Sequence, residues 1–560
     1  MRNTCLSLLV VALCLTCVTS MSAANNVLSN PQVSKANFAT VPSLRNLIEN
    51  QPQNLMPVFG YHTASPVQYP KPQQRLANQK LGAFHDAAAK DAYPSANIPT
   101  KLNDWLGVGI GFFGYSVPDA PTDGQISIGD SQIVQWVNVQ FAVFDLNGNN
   151  LLFNGQHFVN GNVLFTGLPH CGATNSGDII VQFDKMAHRW VMYQPRFSAP
   201  YYDCFAVSQS SDFLGGWNLF EFPTYNSATD FPDYPKVGVW TDGYYVSHND
   251  FRNLGPYVGA MPCAYDRTKM LAGDASAQGV CFLDDSNGTL FDDSMLPADI
   301  DSPNNLPPGG EPNIFVGSVD NFSSDSNIYY YHFHFVPSNP SASTFDCVNG
   351  ACKIAVNTYS NAAGTAPEPN GSVIDTLSDR LMYRFAYRVL PGLPSPNNRV
   401  PGNTLQSWLV SHAVNNGGHA AVRWYEFRAP SGSTTPTVYQ QGTYDPNDGT
   451  HRFMSSLAMD KKGNIAMSYT VTSSAANGVH PTIAYTGRGP NDPQGTMGAE
   501  TILIPGTGDQ TDTSNRWGDY YNMALSPDGC TFVTTGEYYQ STASFHWSTR
   551  NATFKFDNCN

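Results

Sequence analysis

One local pattern recurs along most of the chain and constrains it more than any other feature. An apolar strand runs into a polar turn, often with Gly, and a second alternating strand follows. Copies read VFDLNGNNLLF from Val143, QFDKMAHRWVMYQ from Gln182, VWTDGYYVSHN from Val239, AMDKKGNIAMSY from Ala458 and LSPDGCTFVTT from Leu525. Asn-Gly, Asp-Gly and Lys-Gly supply the φ > 0 positions that tight hairpins need. Alternation after the turn, as in Ile465, Met467 and Tyr469, is strand-like. Two further hairpins fit the gap between the third and fourth copies, SVDNFSSDSNIYYYHFHF from Ser318 and SHAVNNGGHAAVRWYEF from Ser411. Hairpin units spaced by roughly 40–90 residues have room for four strands each. The expected fold is therefore all-β, a β-propeller of seven blades with an irregular N-terminal arm. A pair of β-sandwiches is the competing arrangement.

Composition agrees with a turn-rich, helix-poor chain. Gly and Pro number 47 and 40, while charged residues make up only 13%. Helical spacing is confined to Ser43–Asn50 and Gln79–Lys90. The organisation expected is a signal peptide over 1–24, an irregular arm over 25–100 and the propeller over 101–560. Met1-Arg2-Asn3 and the short apolar run from Cys5 to Val18 precede small residues ending at Ala24. That order reads as a secretory signal, and the run is short for a membrane span. The mature chain is expected to be secreted, extracellular or periplasmic, with no membrane span and as a monomer.

Cysteine usage fits export. Three of the eleven cysteines lie in the leader. The remaining eight group by order into Cys171–Cys204, Cys263–Cys281, Cys347–Cys352 and Cys530–Cys559, although eight cysteines permit many pairings. No C-x-x-C pair suggests a zinc site among them. Cys530 and Cys559 would pin the last strand onto the final hairpin, where a ring of sheets has to close. Such a bridge contributes ~3 kcal/mol in the loop-entropy model.

Several long segments resemble a group of uncharacterised secreted bacterial β-propeller proteins. They are FPDYPKVGVWTDGYYVS from Phe231, LPADIDSPNNLPPGGEPNIFV from Leu296, DRLMYRFAYR from Asp379, VRWYEFR from Val422 and NRWGDYYNMALSPDGCTFVTTGEYY from Asn515, with CFAVSQSSDFLGGWNLFEF from Cys204. The resemblance implies a fold and an export route but no activity. More loosely, Ser526-Pro527-Asp528-Gly529-Cys530-Thr531 is similar to the Asp-box hairpin of sialidase-like propellers, lacking one spacer and the Trp. That implies the fold alone.

A net charge of −15 argues against nucleic acid and anionic lipid as partners. Arginine is scarce yet clusters late in the chain, at Arg380, Arg384, Arg388, Arg423, Arg428, Arg452 and Arg516. A sialidase-type site grips a carboxylate with several guanidiniums and adds a Tyr–Glu pair and an acid. Arg384, Arg423 and Arg516, with Asp519 as acid and Glu537 beside Tyr538, meet that description; Glu426 beside Tyr425 is a second pair. The same residues also serve as braces between blades. Calcium is the one cofactor suggested. Asp299 and Asp301 alternate at the end of an Asp-rich stretch from Asp284, and Asp145, Asn147 and Asn149 resemble half of a calcium loop. His332 and His334 share one strand face and read as sheet histidines. No Gly-x-Ser-x-Gly elbow, Walker loop or dinucleotide fingerprint occurs. Two functions remain: a binding or scaffold module for an extracellular glycan or protein surface, and a sialidase-like glycoside-acting enzyme with a central Arg/Tyr/Asp/Glu pocket.

Overall fold

A computed structural model describes residues 27–50, 84–94, 96–117, 120–153, 155–284, 293–318, 324–347, 352–390, 405–476 and 478–560. The expected signal peptide (1–24) and part of the Asp-rich stretch (285–292) lie outside these. The described chain is nearly all β. Its helices are short: Leu44–Glu49 and Arg267–Ala272, with three turns of 3-10 helix. No described helix is long and apolar enough to cross a membrane. The first helix matches the expected Ser43–Asn50 segment, and Ser43 caps it by accepting from the Asn46 amide. The second expected helix is replaced, where described, by the short strand Ala89–Lys90. Arg267–Ala272 was not foreseen, although Asp266 caps its start and Gly273, left-handed, ends it.

From Gln125 to Lys555 the chain folds as successive antiparallel meanders. Their first strands are Gln125–Ile128, Ile180–Asp184, Asp230–Val239, Leu296–Ile300, Met382–Leu390, His451–Met459 and Met523–Leu525. Each touches the next in that order, and the last touches the first. The fourth and fifth also pair in parallel, with Ala298 opposite Phe385. The seven first strands thus form a closed inner ring, and the later strands of each meander step outward from it. The meanders are called the first to seventh sheets below.

Local chemistry explains the hairpins. Asp460 Oδ1 accepts from the amides of Lys462 and Asn464 at 2.8 and 3.0 Å, and Gly463 takes φ 84°. Asp528 Oδ1 does the same for Cys530 and Thr531. Such Asx turns bend the chain before any distant contact forms. Asp145 Oδ1 holds the amides of Asn147 and Asn149, and its Oδ2 accepts from Asn149 Nδ2 at 2.8 Å. The half calcium loop expected there is thus closed as a turn by its own hydrogen bonds.

Both faces of the middle strands are buried. Along Ile465–Thr472, Ile465, Met467, Tyr469 and Val471 pack with Val422 and Trp424 of the fifth sheet. Ala466 on the opposite face joins Met523 and Phe532 of the seventh. The core is a series of wedges between neighbouring sheets, and each buried Leu, Ile or Phe contributes roughly 1.5–3 kcal/mol.

All four cysteine pairs form as expected. Cys530–Cys559 ties the C-terminal tail to the last sheet's first hairpin. That sheet is completed by Thr100–Leu106, paired with Ser548–Lys555. The arm does more than lead in. Val27–Leu28, Gln32–Lys35 and Asn37–Val41 add outer strands to the fourth, third and second sheets in turn, and Ala89–Lys90 pairs with the fifth. Segments read as irregular thus cover edges that would otherwise stay unpaired.

Candidate functional site

The ring brings together residues far apart in sequence at one end of its channel, where the inner strands begin. Asp123, Asp178 and Asp519 each stand a few residues ahead of an inner strand and take left-handed backbone, with φ 45°, 48° and 48°. Non-glycine residues in that region are strained and cluster at functional positions. Tyr234 does the same at φ 55° inside Asp230–Val239, where a bulge separates Asp233 from Lys236.

At the centre of the cluster is Lys236, fully buried. Its Nζ lies 3.3 Å from the centroid of the Tyr234 ring and 3.8 Å from that of Tyr520, and it donates to the Pro235 carbonyl at 2.9 Å. Arg380 lies over the Tyr234 ring, 4.7 Å from its centroid. Tyr234 ties two of the aspartates together: its hydroxyl donates to the Asp519 carbonyl at 3.0 Å and its amide to Asp178 Oδ2 at 3.3 Å. Arg516 is ion-paired with Asp519, and both are half-buried. Asn138 donates to Asp123 Oδ2 at 3.1 Å. Glu537 accepts from Thr122 and Tyr521 at 2.9 and 3.1 Å.

Burial and crowding set the protonation of this cluster. Burial first, then the charge of Asp519, pushes the Asp123 carboxyl well above the ordinary carboxylate range. Burial raises Asp178 to about 6, opposed by Lys236 and reinforced by Asp519. Asp233 is raised to about 8 by burial and by Asp178, and burial also raises Glu537 to about 8 against its two hydroxyl donors. Burial lowers Lys236 to about 7 despite the neighbouring aspartates. The Asp519 charge bears on Asp123, Asp178, Asp233, Lys236 and Glu537 alike, so it is the common electrostatic node.

These shifts have a consequence for stability. From the ordinary 3.8 and 4.5 of Asp and Glu up to about 8, native Asp233 and Glu537 hold protons that the unfolded chain releases. Their contribution therefore declines as pH rises through that window. Lys236 acts oppositely between about 7 and 10.5, where the unfolded chain keeps the proton. Asp233→Asn is expected to flatten the fall in the urea midpoint between pH 5 and pH 7 and to raise the midpoint at pH 7. A variant that tracks the wild-type chain at every pH would remove this assignment.

Of the residues singled out in the sequence, Arg516, Asp519 and Glu537 meet at this mouth. The others lie elsewhere. Arg384 is fully buried, donating to Asp299 Oδ2 at 2.5 Å and to Asp301 Oδ1 and Oδ2 at 2.9 and 2.5 Å. Lys185 Nζ adds a second cation 3.1 Å from Asp301. Asp299 and Asp301, expected as calcium ligands, are thus ion-paired to two side-chain cations. Arg423 clamps the arm through Asp86 at 2.6 and 2.8 Å. Tyr538 follows Glu537 on a strand and faces the other way, beside Gln540. A three-guanidinium grip is not assembled from Arg384, Arg423 and Arg516, since each is committed to different partners. Asp123, Asp178, Asp233 and Lys236 were missed. Their only sequence signal is a polar residue just before or within an apolar strand, as in SGDIIVQF and FPDYPKVGVW.

Among the described residues, two groups of three place His, Cys or carboxylate ligand atoms within 4.8 Å of one another. One is Asp203 with Cys263 and Cys281, whose sulfurs are consumed in a disulfide. The other is His332, His334 and Asp346, on the fourth sheet.

No family model and no curated protein matches the chain. Solved structures similar to it include an α-L-arabinanase of Penicillium chrysogenum, at 9% identity and a TM-score of 0.35 over 82% of this chain and 100% of that one. A Hadza microbial sialidase is 10% identical, with a TM-score of 0.34 over 77% and 74%. The α-L-arabinofuranosidase Arb93A of Fusarium graminearum is 9% identical, with a TM-score of 0.30 over 84% and 99%.

Proposed function

We propose that the channel mouth is the active site of a secreted glycoside-acting enzyme for neutral sugars, carried on a seven-bladed β-propeller. The observation that carries this is the pair Asp178 and Asp519, both half-buried and joined through Tyr234. Glycoside hydrolysis needs one carboxyl that holds a proton and one that is ionised. Asp178, raised to about 6, suits the general acid. Asp519, paired with Arg516, suits the ionised nucleophile or base. Asp123, Asp233 and Glu537 are more deeply buried and hold the site's charge balance. A carboxylate-rich mouth disfavours anionic substrates by like-charge repulsion, so neutral glycosides fit better than sialosides. Oxidised cysteine pairs suit an extracellular or periplasmic setting.

A binding module is the second reading. It is favoured by the Arg384–Asp299–Asp301 cluster, whose charges are consumed in ion pairs with one another and so add no catalytic group to the mouth. A panel of neutral aryl glycosides and sialosides separates the readings. Turnover of a neutral glycoside is expected; binding of a glycan without turnover of any panel member would select the module.

A further inference from the structure

We infer that His332, His334 and Asp346 form a binding site for a divalent transition-metal ion of the zinc class, apart from the channel mouth. His332 and His334 lie two residues apart on Ser324–His334 and so share a face. Asp346 stands directly opposite His332 on Thr344–Asp346. The ligand atoms are His332 Nδ1, His334 Nε2 and the Asp346 carboxylate. His332 Nδ1 is 3.8 Å from Asp346 Oδ1, and His334 Nε2 is 3.4 Å from Asp346 Oδ2. A tetrahedral ion with bonds of ~2.0–2.1 Å keeps its ligand atoms roughly 3.3–3.4 Å apart, so small side-chain adjustments complete the site.

The chemistry of His332 is the independent observation. Its side chain is 1% exposed. Its Nε2 lies 2.7 Å from the Thr434 carbonyl, which only accepts, so Nε2 carries the proton. On the neutral ring, Nδ1 then presents a lone pair, and it faces a carboxylate oxygen that also only accepts. Both His332 Nδ1 and Asp346 Oδ1 are buried without a hydrogen-bond partner among the described residues. Two acceptors facing one another across 3.8 Å are satisfied by a cation between them. The Thr434 carbonyl fixes tautomer and ring orientation, as a carbonyl bonded to the other ring nitrogen does for metal-bound histidine. His334 is 43% exposed, so the ion is reachable and its fourth position opens to solvent. Since Val27 pairs with Asp346, the ion would also anchor the start of the arm.

The test is titration of the chelator-treated, disulfide-intact chain with Zn²⁺ alone, followed by calorimetry, with Co²⁺ as a spectroscopic substitute. One equivalent is expected to bind, Co²⁺ is expected to give the intense visible bands of a four-coordinate site, and Zn²⁺ to raise the thermal midpoint. His334→Ala, at a side chain 43% exposed, and Asp346→Asn are each expected to weaken binding at least about tenfold and to abolish the Co²⁺ bands. Absence of one-equivalent binding in the wild-type chain, or unchanged affinity and bands in both variants, overturns the site. Because the readout is metal binding, the outcome is independent of any glycosidase activity.

Discussion

Asp519→Asn is expected to lower kcat/KM on a neutral aryl glycoside by about 10²–10⁴-fold while leaving the unfolding midpoint close to that of the wild-type chain. The side chain is half-buried and its partner Arg516 reaches solvent, so an isosteric amide costs little in packing. What it removes is the charge that bears on every other titrating group of the mouth. Asp178→Asn has a different signature. A glycoside whose leaving group needs no protonation should retain most of its turnover in Asp178→Asn and lose it in Asp519→Asn. In the wild-type chain, activity on a poor leaving group should fall as pH rises through about 6, where Asp178 gives up its proton, and that limb should vanish in Asp178→Asn. Equal losses for both variants on both leaving groups would sink the division of roles. Retained turnover in Asp519→Asn would sink the site itself.

What the sequence discloses of this architecture follows from the range of the interactions involved. Hairpins centred on Asp460 and Asp528 are legible because the aspartate bonds amides within four residues. The arm is not, because Asn37 pairs with Glu221 and Gln32 with Cys281; short edge strands carry no pattern of their own. The late arginines stand out as a cluster in the sequence, but Arg380, Arg384 and Arg388 serve different partners. Arg380 stacks at the mouth, Arg384 binds Asp299 and Asp301, and Arg388 donates to the Met459 and Asp301 carbonyls. Spacing along the chain cannot reveal three different sets of partners. Asp123, Asp178 and Asp233 are separated by roughly one meander each, and only closure of the ring makes them neighbours. The His332 and Asp346 pairing was hidden in the same way, since the third ligand comes from the adjacent strand.

Arg384→Met should be the most destabilising single change in the channel. Arg384, Lys185, Asp299 and Asp301 form a neutral quartet of two cations and two carboxylates, all essentially removed from water. Arg384 also donates to the Met523 carbonyl at 3.2 Å, so it links the fourth, fifth and seventh sheets across the ring. Removing one partner of a buried ion pair leaves an uncompensated charge and costs about 3–5 kcal/mol. Methionine fills much of the volume, so the loss is electrostatic more than steric. Adding Asp299→Asn restores neutrality. The asparagine oxygen can keep the Val239 amide, now 3.0 Å from Asp299 Oδ1, and Gln182, whose Nε2 is now 2.9 Å from Oδ2, can turn its amide so that Oε1 accepts from the new NH2. The double variant Asp299→Asn/Arg384→Met is therefore expected to recover a large part of the loss in urea unfolding with disulfides intact. Asp299→Asn alone should destabilise, because it strands the guanidinium charge against Asp301 only. If the double variant is no more stable than Arg384→Met, the cluster acts through shape or through the Met523 link, and charge neutrality is not what it contributes.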